Sequence, residues 1–163
     1  MCMTMWTSAS GDGAAACCYR PAMSDEPRPV PPSHLLEAAL YAEDLEAAEA
    51  FFTGVLGLDV VVRVPGRHVF FRCGTGVLLV FDPRATAQPP KNPDLPVPPH
   101  GAQGPGHACL AVDGAALDAW RAHLEAAGVE IEADFRWPTG ARSIYIRDPA
   151  GNSLELAEPR LWM

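Results

Sequence analysis

Apolar and polar residues alternate in short runs along residues 34–81, and the same alternation returns along residues 107–157. In the first half it predicts four strands, at residues 34–42, 60–64, 67–73 and 77–81. Between the first two, Asp44 is a good helix N-cap and Gly57 a good helix end. The buried face of that helix is predicted from residues at helical spacing: Leu45, Ala48, Phe51, Phe52 and Val55.

The second half repeats this order. Strand patterns occur at residues 107–112, 129–133 and 142–147 and around Leu154 and Leu156, and Asp113 precedes a helix that stops at Gly128. Laid over each other, the segments Gly57-Leu-Asp-Val and Gly128-Val-Glu-Ile coincide, as do residues 67–72 and 142–147. The internal repeat therefore predicts a βαβββ unit that occurs twice.

A helix can cover only one face of each sheet, so the opposite faces need another cover. We therefore expect an α+β fold of two paired βαβββ modules whose mixed sheets curl around a shared cup. The predicted bounds are 34–83 and 106–160 for the modules and 84–105 for a Pro/Gly-rich connector, with 34–160 forming one domain. The connector is long enough to be either a linker or a loop that covers a site. Residues 1–33 are predicted to be a disordered N-terminal extension. For residues 1–22 the alternatives are a sequence start placed too early and a short ordered arm.

The composition of the chain limits the kinds of molecule that it is expected to bind and the compartment in which it is expected to work. Twenty acidic and 12 basic residues give a net charge of −8, which argues against nucleic acid or an anionic membrane as a partner. No apolar run reaches the length of a membrane span. Only two of the five cysteines, Cys73 and Cys109, lie beyond the first 22 residues, so no disulfide framework is expected and a cytoplasmic location is the default.

Strand parity places chemistry on the face away from the helices. Glu37 and His107 occupy equivalent places in the two opening strands, and Leu79 and Glu155 occupy equivalent places in the two closing strands. If the cup forms, two carboxylates and one imidazole converge on its floor, and a divalent cation is the economical way to stabilise them. The alternatives are that Glu37 and Glu155 face solvent and that His107 is a hydrogen-bonded histidine at the start of a strand.

Other residues on or near the predicted cup are candidates for contact with a substrate. His68 is a candidate catalytic base, since its ordinary pKa suits neutral pH, although it could equally be packing. The predicted substrate-binding residues are Tyr41, Phe70, Trp137, Arg142 and Tyr145. For Trp137 aromatic packing is the commoner role, and for Arg142 a solvated guanidinium is the alternative.

The segments Gly106-His-Ala-Cys-Leu-Ala-Val and Arg147-Asp-Pro-Ala-Gly-Asn-Ser-Leu-Glu-Leu resemble the vicinal oxygen chelate superfamily. That superfamily includes glyoxalase I, extradiol dioxygenases and the fosfomycin- and bleomycin-resistance proteins, and the resemblance covers about residues 34–160. It implies metal ligands at Glu37, His107 and Glu155. Two departures from the family pattern are Glu37, where His or Gln is more usual, and Leu79, which breaks the four-ligand arrangement of glyoxalase I.

Two functions follow from the resemblance. The first is a metal-dependent enzyme, a glyoxalase-like lyase or isomerase or a ring-cleaving dioxygenase, that acts on a small oxygenated molecule chelated to one Mn, Fe(II), Zn or Mg ion. The alternative is a metal-free protein that binds a small molecule or drug in the manner of bleomycin-resistance proteins. The resemblance also favours a homodimer, and the sequence leaves open whether the modules pair within one chain or across two.

Overall fold

The computed structural model describes residues 29–90 and 92–163, so most of the predicted N-terminal extension lies outside the described residues. By its internal contacts the chain divides into two units, Met1–Pro32 and Ser33–Met163. The helices and strands given below all belong to the second unit.

The first module contains strand β1 (Glu37–Tyr41), helix α1 (Leu45–Gly54) and strands β2 (Asp59–Val64), β3 (His68–Cys73) and β4 (Gly76–Phe81). A short helix α2 (Pro83–Thr86), which the sequence pattern did not predict, opens the connector. The second module contains β5 (His107–Ala111), a 3₁₀ turn (Gly114–Ala116), α3 (Leu117–Ala126), β6 (Ile131–Arg136), β7 (Arg142–Arg147) and β8 (Ser153–Ala157). A 3₁₀ turn (Pro159–Trp162) follows.

Each module forms one four-stranded mixed sheet. The strand orders are β1-β4-β3-β2 and β5-β8-β7-β6, with the opening strand parallel to the closing strand and the other neighbours antiparallel. The predicted fold class, α+β with two paired βαβββ modules, is confirmed. The two sheets remain separate and do not close into a barrel.

Local sequence explains where the helices begin and end. Asp44 caps α1, because its carboxylate accepts a hydrogen bond from the backbone N–H of Ala47 at 2.8 Å. Asp113 caps the 3₁₀ turn that precedes α3 rather than α3 itself, and accepts from Ala115 N–H at 3.0 Å. Gly57 and Gly128 follow the two helices with φ of 67° and 70°, the left-handed conformation in which glycine carries no steric cost.

One apolar core runs beneath both sheets. It consists of the buried faces of α1 and α3 together with the helix-side residues of the strands, among them Leu40, Phe52, Val69, Phe71, Val80, Leu117, Leu124, Ile144, Ile146, Leu154 and Leu156. These strand residues are the ones that the alternation assigned to the helix side. Because their burial leaves residues of the other parity facing away, the opposite face of each sheet is available to carry a site.

Polar contacts hold the modules together beside this core. Asn152, which is 1% exposed, donates from Nδ2 to the carbonyl of Tyr41 at 3.0 Å and accepts from Gly106 N–H at 2.7 Å. His123 on α3 donates from Nε2 to the carbonyl of Val55 at 2.8 Å. The amino end of β5 therefore lies beside the carboxyl end of β1.

The connector folds back onto the first module. His100 N–H donates to the carbonyl of Thr86 at 3.0 Å, and His100 Nδ1 lies 2.9 Å from the hydroxyl oxygen of Tyr41 on β1. A cleft of about 1190 Å³ lies between the connector, the start of α1 and the Pro149-Ala150 turn. The connector is therefore a loop packed on the domain rather than a free linker.

Candidate functional site

The strand registers test the equivalences expected from the repeat. Glu155 on β8 stands opposite Cys109 and Tyr145, and Leu79 on β4 stands opposite Ala39 and Phe70. Glu155 and Leu79 therefore occupy the same place in their modules. Glu37 is likewise the first residue of β1 and His107 the first residue of β5, so these two also occupy the same place in their modules.

Glu155 is the centre of the polar face of the second module. Its side chain is buried, with the residue only 4% exposed, and both oxygens of its carboxylate have a partner in the fold. Oε1 accepts a hydrogen bond from Ser143 Oγ–H at 2.5 Å, and Oε2 lies 3.5 Å from Nε2 of His107. Ser143 is fully buried and in turn accepts from Trp137 Nε1–H at 2.8 Å. The carboxylate is therefore held in one orientation.

The other ring nitrogen of His107 sets its tautomer. Nδ1 lies 3.2 Å from the carbonyl oxygen of Ser153, and because a carbonyl only accepts, Nδ1 carries the proton of that hydrogen bond. In the neutral ring Nε2 then presents a lone pair to a carboxylate oxygen. Two acceptors that face each other are stabilised by a positive charge between them, either a proton on Nε2 or a bound cation.

Two further groups on this face interact with Glu155 and stay protonated. Desolvation and the neighbouring Glu155 carboxylate raise the pKa of Tyr145 to about 12. Desolvation and the negative charge of Glu155 also raise the pKa of the Cys109 thiol to about 12. At neutral pH both groups are neutral, so Cys109 is not a thiolate nucleophile.

Aromatic rings line the face next to Glu155. Tyr145 stacks on Phe135 with ring centroids 5.8 Å apart, and lies 6.2 Å from the nearly parallel ring of His107. Phe135 also contacts Trp137 at a centroid distance of 5.0 Å. The structure thus brings together four of the predicted site residues, His107, Glu155, Tyr145 and Trp137, and adds Ser143 and Phe135.

Glu37 lies apart from this group. It is exposed at the start of β1, whereas the His107 end of β5 adjoins Tyr41, four residues further along. At about 3.3 Å per residue, that places Glu37 about 13 Å along the strand. Within the described residues, no three His, Cys, Asp or Glu side chains are grouped closely enough to hold a metal ion.

The predicted residues of the first module form an aromatic cluster on its corresponding face. His68 stacks on Phe70 at a centroid distance of 4.2 Å, and both meet the edge of Phe81. Phe81 also contacts His100, which lies against Tyr41. Burial, and the nearby charge of Arg67, lower the pKa of His68, so its ring is neutral at pH 7. Its Nδ1 is buried and has no hydrogen-bond partner among the described residues.

Arg142 is placed on the other side of the sheet. Its parity is that of the buried Ile144, and its guanidinium donates to Asp134 at 2.7 Å and to Asp118 of α3 at 2.6 Å. Its hydrogen bonds with Asp134 hold the pKa of that carboxyl down at about 2. Arg142 therefore links β6, β7 and α3, and its charge is balanced within the fold.

Sequence reasoning missed Ser143, Phe81, Phe135 and His100. Ser143 shares the parity of Tyr145 and Glu155, which was a usable signal, but a serine in an alternating strand is ordinarily a solvent-facing residue. His100 lies in the connector, where no periodicity predicts which residue will fold back.

Among the described residues, no helix has the length and apolar character needed to cross a membrane.

Comparison with known proteins supplies independent findings. Residues 34–156 match the Glyoxalase/Bleomycin resistance protein/Dioxygenase superfamily. A crystal structure of lactoylglutathione lyase from Agrobacterium tumefaciens is 48% identical, covers 82% of this chain and 98% of that chain, and has a TM-score of 0.77. No curated protein sequence matches the chain.

Two more distant structures show the shared fold alone. A glyoxalase/bleomycin resistance protein/dioxygenase from Nocardioides is 24% identical, with a TM-score of 0.61 and coverage of 80% of this chain and 85% of that chain. The fosfomycin resistance protein FosX from Listeria monocytogenes, solved with Mn(II), is 19% identical, with a TM-score of 0.56 and coverage of 76% and 88%.

Proposed function

Since the chain belongs to the Glyoxalase/Bleomycin resistance protein/Dioxygenase superfamily, we propose that it is a divalent-metal-dependent, glyoxalase-like enzyme that acts on a small oxygenated molecule. The 48% identity to a lactoylglutathione lyase favours a lyase or isomerase over a ring-cleaving dioxygenase. The proposal concerns the polar face of the second module, where His107 and Glu155 meet.

The observation that carries the proposal is the distance of 3.5 Å between His107 Nε2 and Glu155 Oε2. Two atoms that each lie about 2.1 Å from one tetrahedral zinc ion are about 3.4 Å apart. The imidazole also donates its other N–H to a backbone carbonyl, which is the usual second hydrogen bond of a metal-binding histidine. An imidazole with a carboxylate fits Mn, Fe(II), Zn or Mg, and His107 and Glu155 would hold the ion.

We propose that the third ligand, Glu37, comes from a second copy of the chain. Within one chain Glu37 lies about 13 Å along β1 from the end of that strand next to His107. Its side chain is exposed, and the faces that carry Glu37 and Glu155 are both turned away from the core. A homodimer in which these faces meet would complete the site and form the cup between two chains.

When bound, the ion would act as a Lewis acid on a substrate with two adjacent oxygens. The residues of the chain would orient that substrate. Tyr145, protonated at neutral pH, is a hydrogen-bond donor beside Glu155, and Trp137 and the aromatic cluster with Tyr41 and Phe70 supply apolar walls. His68, whose lowered pKa keeps it neutral, is the candidate base.

Activity with and without metal tests the enzyme proposal. Chelator-treated protein should not form lactoylglutathione from glutathione and methylglyoxal, and adding back Mn(II), Fe(II), Zn(II) or Mg(II) separately should restore turnover with at least one ion. His107→Ala and Glu155→Gln should lower the turnover by more than about 100-fold, and Thr53→Ala, on helix α1, should leave it unchanged. Equal turnover in chelated and metal-loaded protein would contradict the proposal. Tight binding of a drug without any metal would support the bleomycin-resistance type of function instead.

Mixed dimers test the shared site. Glu37→Ala and Glu155→Ala chains each lack one ligand in every site, so neither alone should bind metal. Coexpressed with different affinity tags and purified as mixed dimers, they should regain one intact site in two, measured as half of the wild-type metal content. Mixed dimers that bind no metal, when wild type does, would exclude a site shared between chains.

A further inference from the structure

The hydrogen bonds behind Glu155 run in one direction. Trp137 Nε1–H can only donate, so Ser143 Oγ is the acceptor of their 2.8 Å contact. The hydroxyl proton of Ser143 is then free for the 2.5 Å hydrogen bond to Glu155 Oε1, which as a carboxylate oxygen only accepts. The order of donors from the indole to the carboxylate therefore follows from the chemistry of the three groups.

Burial gives this chain of contacts its strength. Ser143 is 0% exposed and Glu155 is 4% exposed, so water does not compete for either oxygen. Hydrogen bonds in series polarise one another, and a donor to an ionised acceptor forms a stronger bond than one to a neutral group. With Oε1 occupied by Ser143, Oε2 is the oxygen left to face His107.

We propose that Ser143 and Trp137 are positioning residues, which hold the Glu155 carboxylate so that Oε2 stays directed toward His107 Nε2. This inference rests on the proposed function of His107 and Glu155 as ligands of a divalent ion. It assigns to the loop of Trp137 a role in metal affinity as well as in contact with a substrate.

Metal affinity measures the positioning. Partners that orient a metal ligand change affinity by about 10- to 100-fold when they are removed, so Ser143→Ala should weaken Mn(II) binding by that factor. Trp137→Phe keeps an aromatic ring but removes the indole N–H, and should weaken binding by a few-fold. Thr53→Ala is the control, because it also removes one hydroxyl, but from helix α1, where that hydroxyl donates to the carbonyl of Glu49 within the same helix; its affinity should equal that of wild type.

The indole N–H resonance of Trp137 gives a second test that needs no metal. In metal-free protein, both Ser143→Ala and Glu155→Gln should shift this resonance, since each removes or weakens a hydrogen bond in the series, whereas Thr53→Ala should not. Trp137→Phe identifies the signal among the four tryptophans of the chain.

The two proposals fail separately. If wild-type protein binds metal and Ser143→Ala binds it equally well, the positioning role is wrong and the metal site stands. If the Trp137 resonance keeps its position in both Ser143→Ala and Glu155→Gln, the series of hydrogen bonds does not exist in solution. If wild-type protein binds no metal, the proposed function fails, whatever the resonance shows.

Discussion

The two modules have the same topology and the same core pattern, but their open faces carry different chemistry. In the second module Ser143, Tyr145 and Glu155 form a connected polar group. At the equivalent places the first module has His68, Phe70 and Leu79. The repeat therefore fixes where side chains point, and the residue types at single positions decide which open face carries the polar group.

His68 shows the consequence of that difference. In the second module the residue at its place donates to the carboxylate of Glu155. In the first module the Leu79 side chain offers no acceptor, and within residues 29–90 and 92–163 the buried His68 Nδ1 has no hydrogen-bond partner. The corresponding face of the first module is therefore aromatic where that of the second is polar.

The core is where the modules should behave alike, and it gives the largest expected effect. Phe71 and Ile146 are equivalent, both 0% exposed, and both pack in the shared core. Phe71→Ala should cost about 3–5 kcal/mol of unfolding free energy and Ile146→Ala about 2–5 kcal/mol, because each leaves a cavity. Urea denaturation should give one cooperative transition for both variants. Separate transitions for the two modules would show that the core is not shared.

Arg142 and Arg67 occupy equivalent places in the two modules, but they should contribute differently to the free energy of unfolding. Arg142 is bound by Asp134 and Asp118, whereas Arg67 donates to the carbonyl of Ala85 at 2.9 Å. Arg142→Ala should cost about 2 kcal/mol, because it leaves a largely buried carboxylate with one partner fewer. Arg67→Ala should cost about 1 kcal/mol. Equal costs in urea denaturation would contradict this reading of the ion pairs.

The pH dependence of stability tests the ion pair between Asp134 and Arg142, whose counterpart in the first module is the contact of Arg67 with a backbone carbonyl. The pKa of Asp134 is lowered to about 2 in the folded protein from an ordinary value of 3.8, so its contribution is present above pH 4 and is lost as the pH falls toward 2. The stability difference between wild type and Asp134→Asn should therefore be about 2 kcal/mol at pH 6 and shrink below pH 4. Thermal unfolding across that range measures it, and a difference independent of pH would contradict the assignment.

His68 gives the smallest expected effect. Because its Nδ1 has no hydrogen-bond partner in the part of the chain that the structure describes, His68→Leu should change stability by less than about 1 kcal/mol at pH 8. The folded protein lowers the pKa of His68, so the unfolded chain binds more protons and wild type should lose stability as the pH falls below 6.5. In His68→Leu that part of the loss should disappear. A large loss of stability at pH 8 would mean that Nδ1 has a partner in solution.

The repeat, the element order and the core were predictable from the sequence because alternation and helical spacing report directly on burial. The same parity argument placed His107 and Glu155 on one face. It also predicted Glu37 beside them, whereas within one chain Glu37 lies apart, because the relative direction of β1 and β5 depends on contacts such as that of Asn152 with Tyr41, which no local pattern encodes. Arg142 shows a further limit, since its carboxylate partners come from β6 and α3 and only the tertiary structure brings them to it.

The central claim is that His107 and Glu155 hold a divalent ion. Calorimetric titration of chelator-treated protein with Mn(II) tests it most directly, with His107→Ala and Glu155→Gln as test variants and Thr53→Ala as the control. We expect one ion per chain in wild type and in the control, and no saturable binding in either test variant. Wild-type protein that takes up no ion, or test variants that bind as well as wild type, would contradict the claim.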